Sequence, residues 1–225
     1  MFSYTDILAS IVHDVKNSLS MVSSHVEEII NDDSLTEQQR ENATNVQQEA
    51  LRANNQLIQV LALYKLDNKR LSPNIMENNL YDFLEELQIE ENGYARAQQI
   101  RVEIDCDEWL SGYFDPDLVR GVISSSIGNA KRYTKDEVLV SAQEQDGYLV
   151  IRVEDNGNGF PERFLHEYDA DGETFGKDFS EGRTQLGFFF ASNIAALHKN
   201  RDKSGFIRLS NGHSLPGGCF ELWLP

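Results

Sequence analysis

Cysteine is scarce: 2 in 225 residues. Cys106 and Cys219 stand alone, with no partner at the spacing of a paired-cysteine zinc motif, and two lone thiols suit a reducing compartment. Positive charge is also short. Against 37 Asp and Glu there are 20 Lys and Arg, a formal net charge of -17. That balance argues against nucleic-acid binding, which needs clustered cations on phosphates, and against attachment to an anionic membrane surface. No apolar run approaches the roughly 20 residues of a spanning helix. The N-terminus has no basic segment followed by an apolar one. Repeats and low-complexity tracts are missing too. The expectation is a cytoplasmic protein with no nucleic-acid or membrane partner. Its 40% hydrophobic content is enough for one large core or two modest ones.

Up to about residue 72 the pattern is helical. Leu8, Val12, Val15, Leu19, Val22, Val26 and Ile29 alternate steps of four and three, the a/d seam of a coiled coil or bundle. Asn31-Asp32-Asp33 interrupts it. Thr36 with Gln39 offers a capping box for a second helix, in which Val46, Ala50, Ala53, Leu57, Val60 and Tyr64 repeat the spacing. A hairpin this narrow cannot enclose its own seam, so pairing with a second copy into a four-helix bundle is expected. In "IVHDVKNSLSMV" (11–22) the seam passes through Val12 and Val15, which leaves His13 one step off it beside Asp14, Lys16 and Asn17. That position weakens a core role. A metal role lacks a second ligand at matching helical spacing. A solvated helix face and a nucleophile remain as alternatives.

Pro73 marks a boundary, dividing the chain into 1–72 and 73–225. Beyond it the pattern predicts a helix around Tyr81–Ala97, a strand Ile100–Asp105 and a helix after Asp115-Pro116. Next come two strands, "EVLVSAQEQ" and "YLVIRVED", joined as a hairpin through Asp146-Gly147. A Gly- and Asp-rich stretch from Asn156 to Thr184 has the look of a lid or binding loop. A helix from about Leu186 to His198 and strands near Phe206–Ser210 and Cys219–Leu224 complete an α/β sandwich, giving an α+β chain overall. Within this half two stretches stand out: "SSSIGNAKRYT" (124–134) at a helix end, and "VEDNGNGFP" (153–161), where a strand runs into a glycine-rich loop.

Taken together, in this order and spacing, these stretches resemble the transmitter core of a bacterial sensor histidine kinase. His13-Asp14-Val15-Lys16-Asn17 resembles its H box, Asn129-Ala130-Lys131-Arg132-Tyr133-Thr134 its N box, and Asp155-Asn156-Gly157-Asn158-Gly159 its first glycine box. Phe175 and Phe179 are similar to the F box, and Leu186-Gly187-Phe188 to the end of the second glycine box. The resemblance implies a dimeric four-helix bundle carrying the phosphoacceptor, followed by an ATP-binding sandwich of the histidine kinase type.

By that resemblance His13 is the phosphoacceptor. Asp14 orients its ring or takes its proton, and Asn17 supports dephosphorylation of the partner. Asp155 accepts from the adenine amino group, while Gly157 and Gly159 let the backbone approach the base. Asn129 supplies an oxygen ligand to Mg²⁺. Arg132 or Lys131 steadies the phosphates, Tyr133 packs on the nucleotide, and Thr184, Leu186 and Gly187 belong to the phosphate end. ATP and Mg²⁺ are the implied cofactors. The implied partners are a response-regulator receiver domain and, for a complete chain without room for a sensory domain, a separate sensor protein. Some positions depart from the family. Ser125 stands where an Asn usually opens the N box, Ser18 replaces a common proline, Gln185 occupies a usual Gly, and Phe188-Phe189-Phe190 is bulky. The alternative is a dimeric histidine phosphotransferase that has kept the fold and relays phosphate without ATP.

Overall fold

The computed structural model describes residues 4–30, 32, 34–68, 71–95, 100–168 and 184–225. The side chains of 4–10, 13, 41, 48, 92–95, 184 and 185 lie outside that description, as do Phe175 and Phe179. Two units emerge, Met1–Leu71 and Ser72–Pro225. Among the described residues no helix is long and apolar enough to cross a membrane.

The first unit is a helical hairpin of α1 (Tyr4–Ile30) and α2 (Glu37–Asp67). The capping box forms: Thr36 Oγ1 accepts from the Gln39 amide at 3.3 Å, and Gln39 Oε1 accepts from the Thr36 amide at 3.0 Å. Arg40 then ties the turn together by donating to the carbonyls of Ile30 and Asp32. The apolar seam divides. Val12 and Val26 are buried and Leu19 is half-buried, whereas Val15, Val22 and Ile29 are exposed, as are Val46 and Val60 of α2. A lone pair of helices has one mutual contact line, so only alternate layers of the seam find cover in a single chain. Ser18 Oγ bonds back to the Asp14 carbonyl at 3.0 Å within an unbroken α1.

The second unit runs β1 (Met76–Asn79), α3 (Leu80–Ala95), β2 (Arg101–Cys106), β3 (Ser111–Phe114), α4 (Pro116–Tyr133), β4 (Glu137–Gln145) and β5 (Tyr148–Asp155). There follow β6 (Glu167–Tyr168), α5 (Thr184–Leu197), β7 (Lys199–Asn200), β8 (Lys203–Ser204), β9 (Phe206–Asn211) and β10 (Gly218–Leu224). Six strands make a mixed sheet in the order β2-β4-β5-β10-β9-β6, in which only β2 and β4 run parallel. Asp146 and Gly147 take φ of 54° and 71°, the double left-handed turn that the twist of a two-residue hairpin requires. Leu84 and Leu87 of α3, Val122 and Ile123 of α4 and Ile194 of α5 are buried, as are Val140, Ile151 and Leu222 of the sheet. Together they form the core of an α/β sandwich.

One polar node fastens three parts of this unit. Asp115 caps α4, its Oδ1 accepting from the Leu118 amide at 3.0 Å, with Pro116 at the first helical position. Its Oδ2 accepts from the Asn74 amide at 2.7 Å. Its own N–H donates to Nε2 of buried His198 at 3.1 Å, just past the end of α5. Nδ1 of that ring lies 2.9 Å from the Ile194 carbonyl. A carbonyl only accepts, so the proton sits on Nδ1 and the neutral tautomer is fixed. Burial pushes the His198 pKa below its ordinary value, and the Ile194 carbonyl and Asp115 charge oppose it only in part. Because the unfolded chain keeps a pKa near 6.5, it takes up a proton before the folded unit does as the pH falls. Stability held by the neutral ring is therefore present above about pH 6.5 and lost below it. We expect the thermal midpoint of the second unit to drop on going from neutral to mildly acid pH. In His198→Gln, where an amide oxygen can replace Nε2, that drop should be shallower. Parallel melting curves over that range would show no difference if the node were irrelevant.

Candidate functional site

Four residues on one stripe of α4, Ser126, Asn129, Ala130 and Tyr133, follow the i, i+3, i+4, i+7 rule. They line a cavity of about 310 Å³ together with Val153 and Asp155 of β5. Gly159, Phe160, Pro161, Arg163 and Phe164 of the following loop, Phe188 of α5 and Phe220 of β10 close it. Phe188 meets Phe160 edge-on at 5.8 Å and stacks on Phe220 at 6.4 Å, so the bulk noted in the sequence builds the cavity's aromatic wall.

Asp155, 6% exposed, is the one carboxylate among the lining residues. Its Oδ1 accepts from the Gly157 amide at 2.7 Å, and its backbone carbonyl accepts from the Gly217 amide at 2.9 Å. Glycine is a steric requirement here. A Cβ on Gly157 would lie 2.0 Å from the Tyr133 carbonyl oxygen, and one on Gly217 would lie 2.3 Å from Asp155 Oδ1. Gly159 has φ of 76°, and the loop after it is clamped by Asn211, whose Oδ1 accepts from the Phe160 amide at 2.7 Å while Nδ2 donates to the Phe160 carbonyl at 2.9 Å. Asn156 does the same for the end of α4. Its Oδ1 accepts from Thr134 Oγ1 at 2.7 Å and from the Lys135 amide at 3.0 Å.

Of the residues singled out in the sequence, Asn129, Tyr133, Asp155 and Gly159 come together around this cavity, with Gly157 bonded to Asp155 behind it. Arg132 is exposed, its guanidinium 5.7 Å from the Tyr133 ring, and is not among the lining residues; Arg163 is. Lys131 is committed elsewhere, to Glu91 of α3 at 2.6 Å, and so fastens α4 to α3 instead of facing the cavity. Leu186 and Gly187 lie half-buried in the first turn of α5, which starts at Thr184. A Cβ on Gly187 would meet Ser125 Oγ at 3.6 Å and Asn129 Nδ2 at 3.9 Å, ordinary contacts that bring this turn beside α4. His13, Asp14 and Asn17 belong to α1 of the other unit. Asp14 and Asn17 are exposed, and the His13 side chain lies outside the described residues. The sequence reading missed Asn211, Gly217 and the aromatic wall. Asn211-Gly212 and Pro216-Gly217-Gly218 do carry turn signals, but nothing local ties them to Asp155.

Residues 114–225 match the family of histidine kinase-, DNA gyrase B- and HSP90-like ATPases. The signal transduction histidine-protein kinase AfsQ2 of Streptomyces coelicolor is 33% identical over 133 residues, 58% of this chain and 24% of that protein. The sensor histidine kinase component HK1 of Mycobacterium tuberculosis is 32% identical over 71 residues, 32% of this chain and 41% of its own. The chain thus spans less than half the length of either relative. Among solved structures, the Acinetobacter baumannii histidine kinase AdeS superposes with a TM-score of 0.60 at 17% identity, covering 94% of this chain and 96% of that one. Full-length ShkA in complex with AMPPNP superposes with a TM-score of 0.61 at 19% identity, covering 98% of this chain and 45% of that one.

Fold and site thus define an ATPase-type sandwich: residues 114–225 belong to the histidine kinase-, gyrase B- and HSP90-like ATPase family. Within that class, both curated relatives that the chain matches are histidine kinases, and the chain is similar to the transmitter core of a sensor histidine kinase.

The glycine contacts make a stability prediction. Gly157→Ala forces backbone against backbone and should lower the unfolding midpoint of the second unit. Gly187→Ala meets only ordinary contacts in a helix and should hold it or raise stability by up to about 1 kcal/mol. Equal effects of the two substitutions in thermal melts would contradict the geometry.

Proposed function

We propose that the chain is an ATP-dependent protein-histidine kinase that uses the cavity around Asp155 to bind ATP and His13 to accept the γ-phosphoryl group. The observation that carries this reading is a buried carboxylate in a cavity walled by Phe160, Phe164, Phe188 and Phe220, approached by backbone where a Cβ would not fit. Flat aromatic walls suit a purine ring. Asp155 would accept from an adenine amino group and disfavour the guanine carbonyl that takes its place. Asn129 offers a side-chain oxygen of the kind that Mg²⁺ prefers, and the bound ion would supply charge neutralisation on the phosphates. Among the described residues Arg163 and Arg132 are nearby cations, and the amides of the first turn of α5, from Thr184 to Gly187, which the helix itself does not use, suit an anion. Tyr133, half exposed, would pack at the rim.

Phosphoryl transfer asks a protein for positioning and charge more than covalent chemistry. His13 supplies the nucleophile as a neutral imidazole, abundant near neutral pH because the unperturbed pKa is about 6.5. Asp14, one residue on, would orient the ring or receive its proton, and Asn17, one turn on, would support phosphatase action on the partner. The phosphoryl group would pass to an aspartate of a response-regulator receiver domain, under control of a sensor whose signal reaches this core. The exposed layers Val15, Val22 and Ile29 support a homodimer, in which a second hairpin covers them.

Two measurements test this. Asp155→Asn replaces an acceptor with a donor and should weaken ATP binding by roughly ten- to a hundredfold, taking autophosphorylation down with it. Acceptance of phosphate at His13 from a phosphorylated receiver should survive. His13→Gln should fold and bind ATP but take up no label from the γ-phosphate. Wild-type protein that binds no ATP at millimolar concentration, yet exchanges phosphate with a receiver, would establish the relay alternative instead. For the dimer, a Val15→Glu, Val22→Glu double variant gives up burial worth about 1.5–3 kcal/mol per side chain and should sediment as a monomer. A wild-type chain that is already monomeric would sink the idea.

A further inference from the structure

Behind Asp155, on the neighbouring position of β5, three metal-binding side chains converge that the proposed kinase chemistry does not use. Glu154 and Cys219 face each other directly across the β5–β10 ladder, so their side chains share one side of the sheet. The loop between β9 and β10 brings His213 over the pair. One ligand atom of each, a carboxylate oxygen, an imidazole nitrogen and a sulfur, lie within 4.8 Å of one another.

The geometry points to a mononuclear transition-metal site of the zinc class at Glu154, His213 and Cys219. The donors fit such an ion, since thiolate, imidazole and carboxylate together suit a borderline cation better than Mg²⁺ or Ca²⁺. Orientation is set beforehand. Glu154 Oε2 is held by the amides of Ser214 at 2.7 Å and Leu215 at 3.1 Å, while Oε1 is the atom that meets His213 Nδ1 at 3.1 Å. Both Glu154 and Cys219 are fully buried. A carboxylate at that depth gains from a compensating cation, and among the described residues the basic side chain that meets it is the His213 imidazole alone, which is charged only when protonated. Arg152, two residues back on β5, is engaged with Gln145 at 2.7 Å and lies 4.0 Å from Glu221.

His213 is half exposed, which gives the ion an entry path and leaves room for water as a fourth ligand. Binding takes the neutral tautomer of His213, with the ion on Nδ1 and the ring's one proton on Nε2, and it releases the Cys219 thiol proton to solvent. Affinity should therefore rise with pH, as expected when a metal must displace a proton. Bound there, the ion would fasten the loop that presses Gly217 against Asp155. The three residues are 59 and 6 apart in sequence, a spacing that carries no metal signature and becomes visible only once β10 returns beside β5.

The test uses the full chain and the metal alone. Zn²⁺ competed against a chromogenic chelator should occupy one site per chain and raise the unfolding midpoint. Co²⁺ in its place should give a thiolate-to-cobalt charge-transfer band. Cys219→Ser should abolish that band and Cys106→Ser should keep it. His213→Gln alters a half-exposed loop residue, leaves the core intact and should weaken binding by at least roughly 10–100-fold. Absence of saturable uptake, a cobalt spectrum without the thiolate band, or affinity unchanged by His213→Gln would each overturn the assignment. None of these readouts involves nucleotide, so the result stands apart from the fate of the kinase reading.

Discussion

The arrangement of the second unit depends on how closely backbone can approach Asp155. A buried carboxylate costs several kcal/mol unless donors satisfy it, and here a donor is the amide of Gly157, at 2.7 Å. The Gly217 amide takes the backbone carbonyl of the same residue, so the loop after β5 and the loop before β10 are stitched to one position. Neither stitch tolerates a side chain: at Gly157 it would strike the Tyr133 carbonyl, at Gly217 Asp155 itself. The end of α4 is thereby pulled against the strand end, and the cavity forms in the angle between them. Asn156 and Asn211 reinforce the loop after β5, Asn156 by accepting from Thr134 and Asn211 by accepting from the Phe160 amide. The aromatic wall then rests on a floor that has no spare space to shift.

Periodicity in the sequence reports which residues seek burial, and not what buries them. The seam of α1 reads as one stripe of seven positions, yet among its described side chains only Val12 and Val26 are buried, because α2 can reach only alternate layers. Short-range chemistry was legible wherever its partner lay a few residues away: the capping box at Thr36 and Gln39, the Asp115 cap with Pro116, and the Asp146-Gly147 turn. Asn129, Tyr133, Asp155 and Gly159 were legible as a set because the family's order and spacing link them. Asn211 and Gly217 were not, since their partners Phe160 and Asp155 lie 51 and 62 residues away and turns of the same composition occur on any surface. Lys131 shows the limit in the other direction. Its place beside Arg132 in the N box suggested a phosphate ligand, whereas its ammonium is neutralised by Glu91.

The two halves of the chain divide their chemistry unequally. In the first, polar groups mostly shape the turn and the helix ends, and the reactive candidate sits among exposed Asp14, Lys16 and Asn17. In the second, buried polar groups act as fasteners: His198 and Asp115 hold the start of α4 and the end of α5, while Glu154 holds the loop before β10. Such a division matches the demands on each half. Under the proposed kinase function, a histidine that meets more than one protein would need an open flank, and a cavity that recognises one ring would need walls that do not yield.

Gly157 and Gly217 also bear on how this pocket could be blocked from outside. Most small-molecule sites can escape an inhibitor by enlarging or shrinking a side chain at the contact. At these two positions main chain backs the Asp155 carboxylate that faces the pocket, and any replacement of hydrogen by carbon collides with the protein's own backbone or with Asp155. A compound that draws its affinity from the Asp155 carboxylate would leave little room for resistance by substitution at Gly157 or Gly217, because a side chain there dismantles the pocket's support before it reaches the compound.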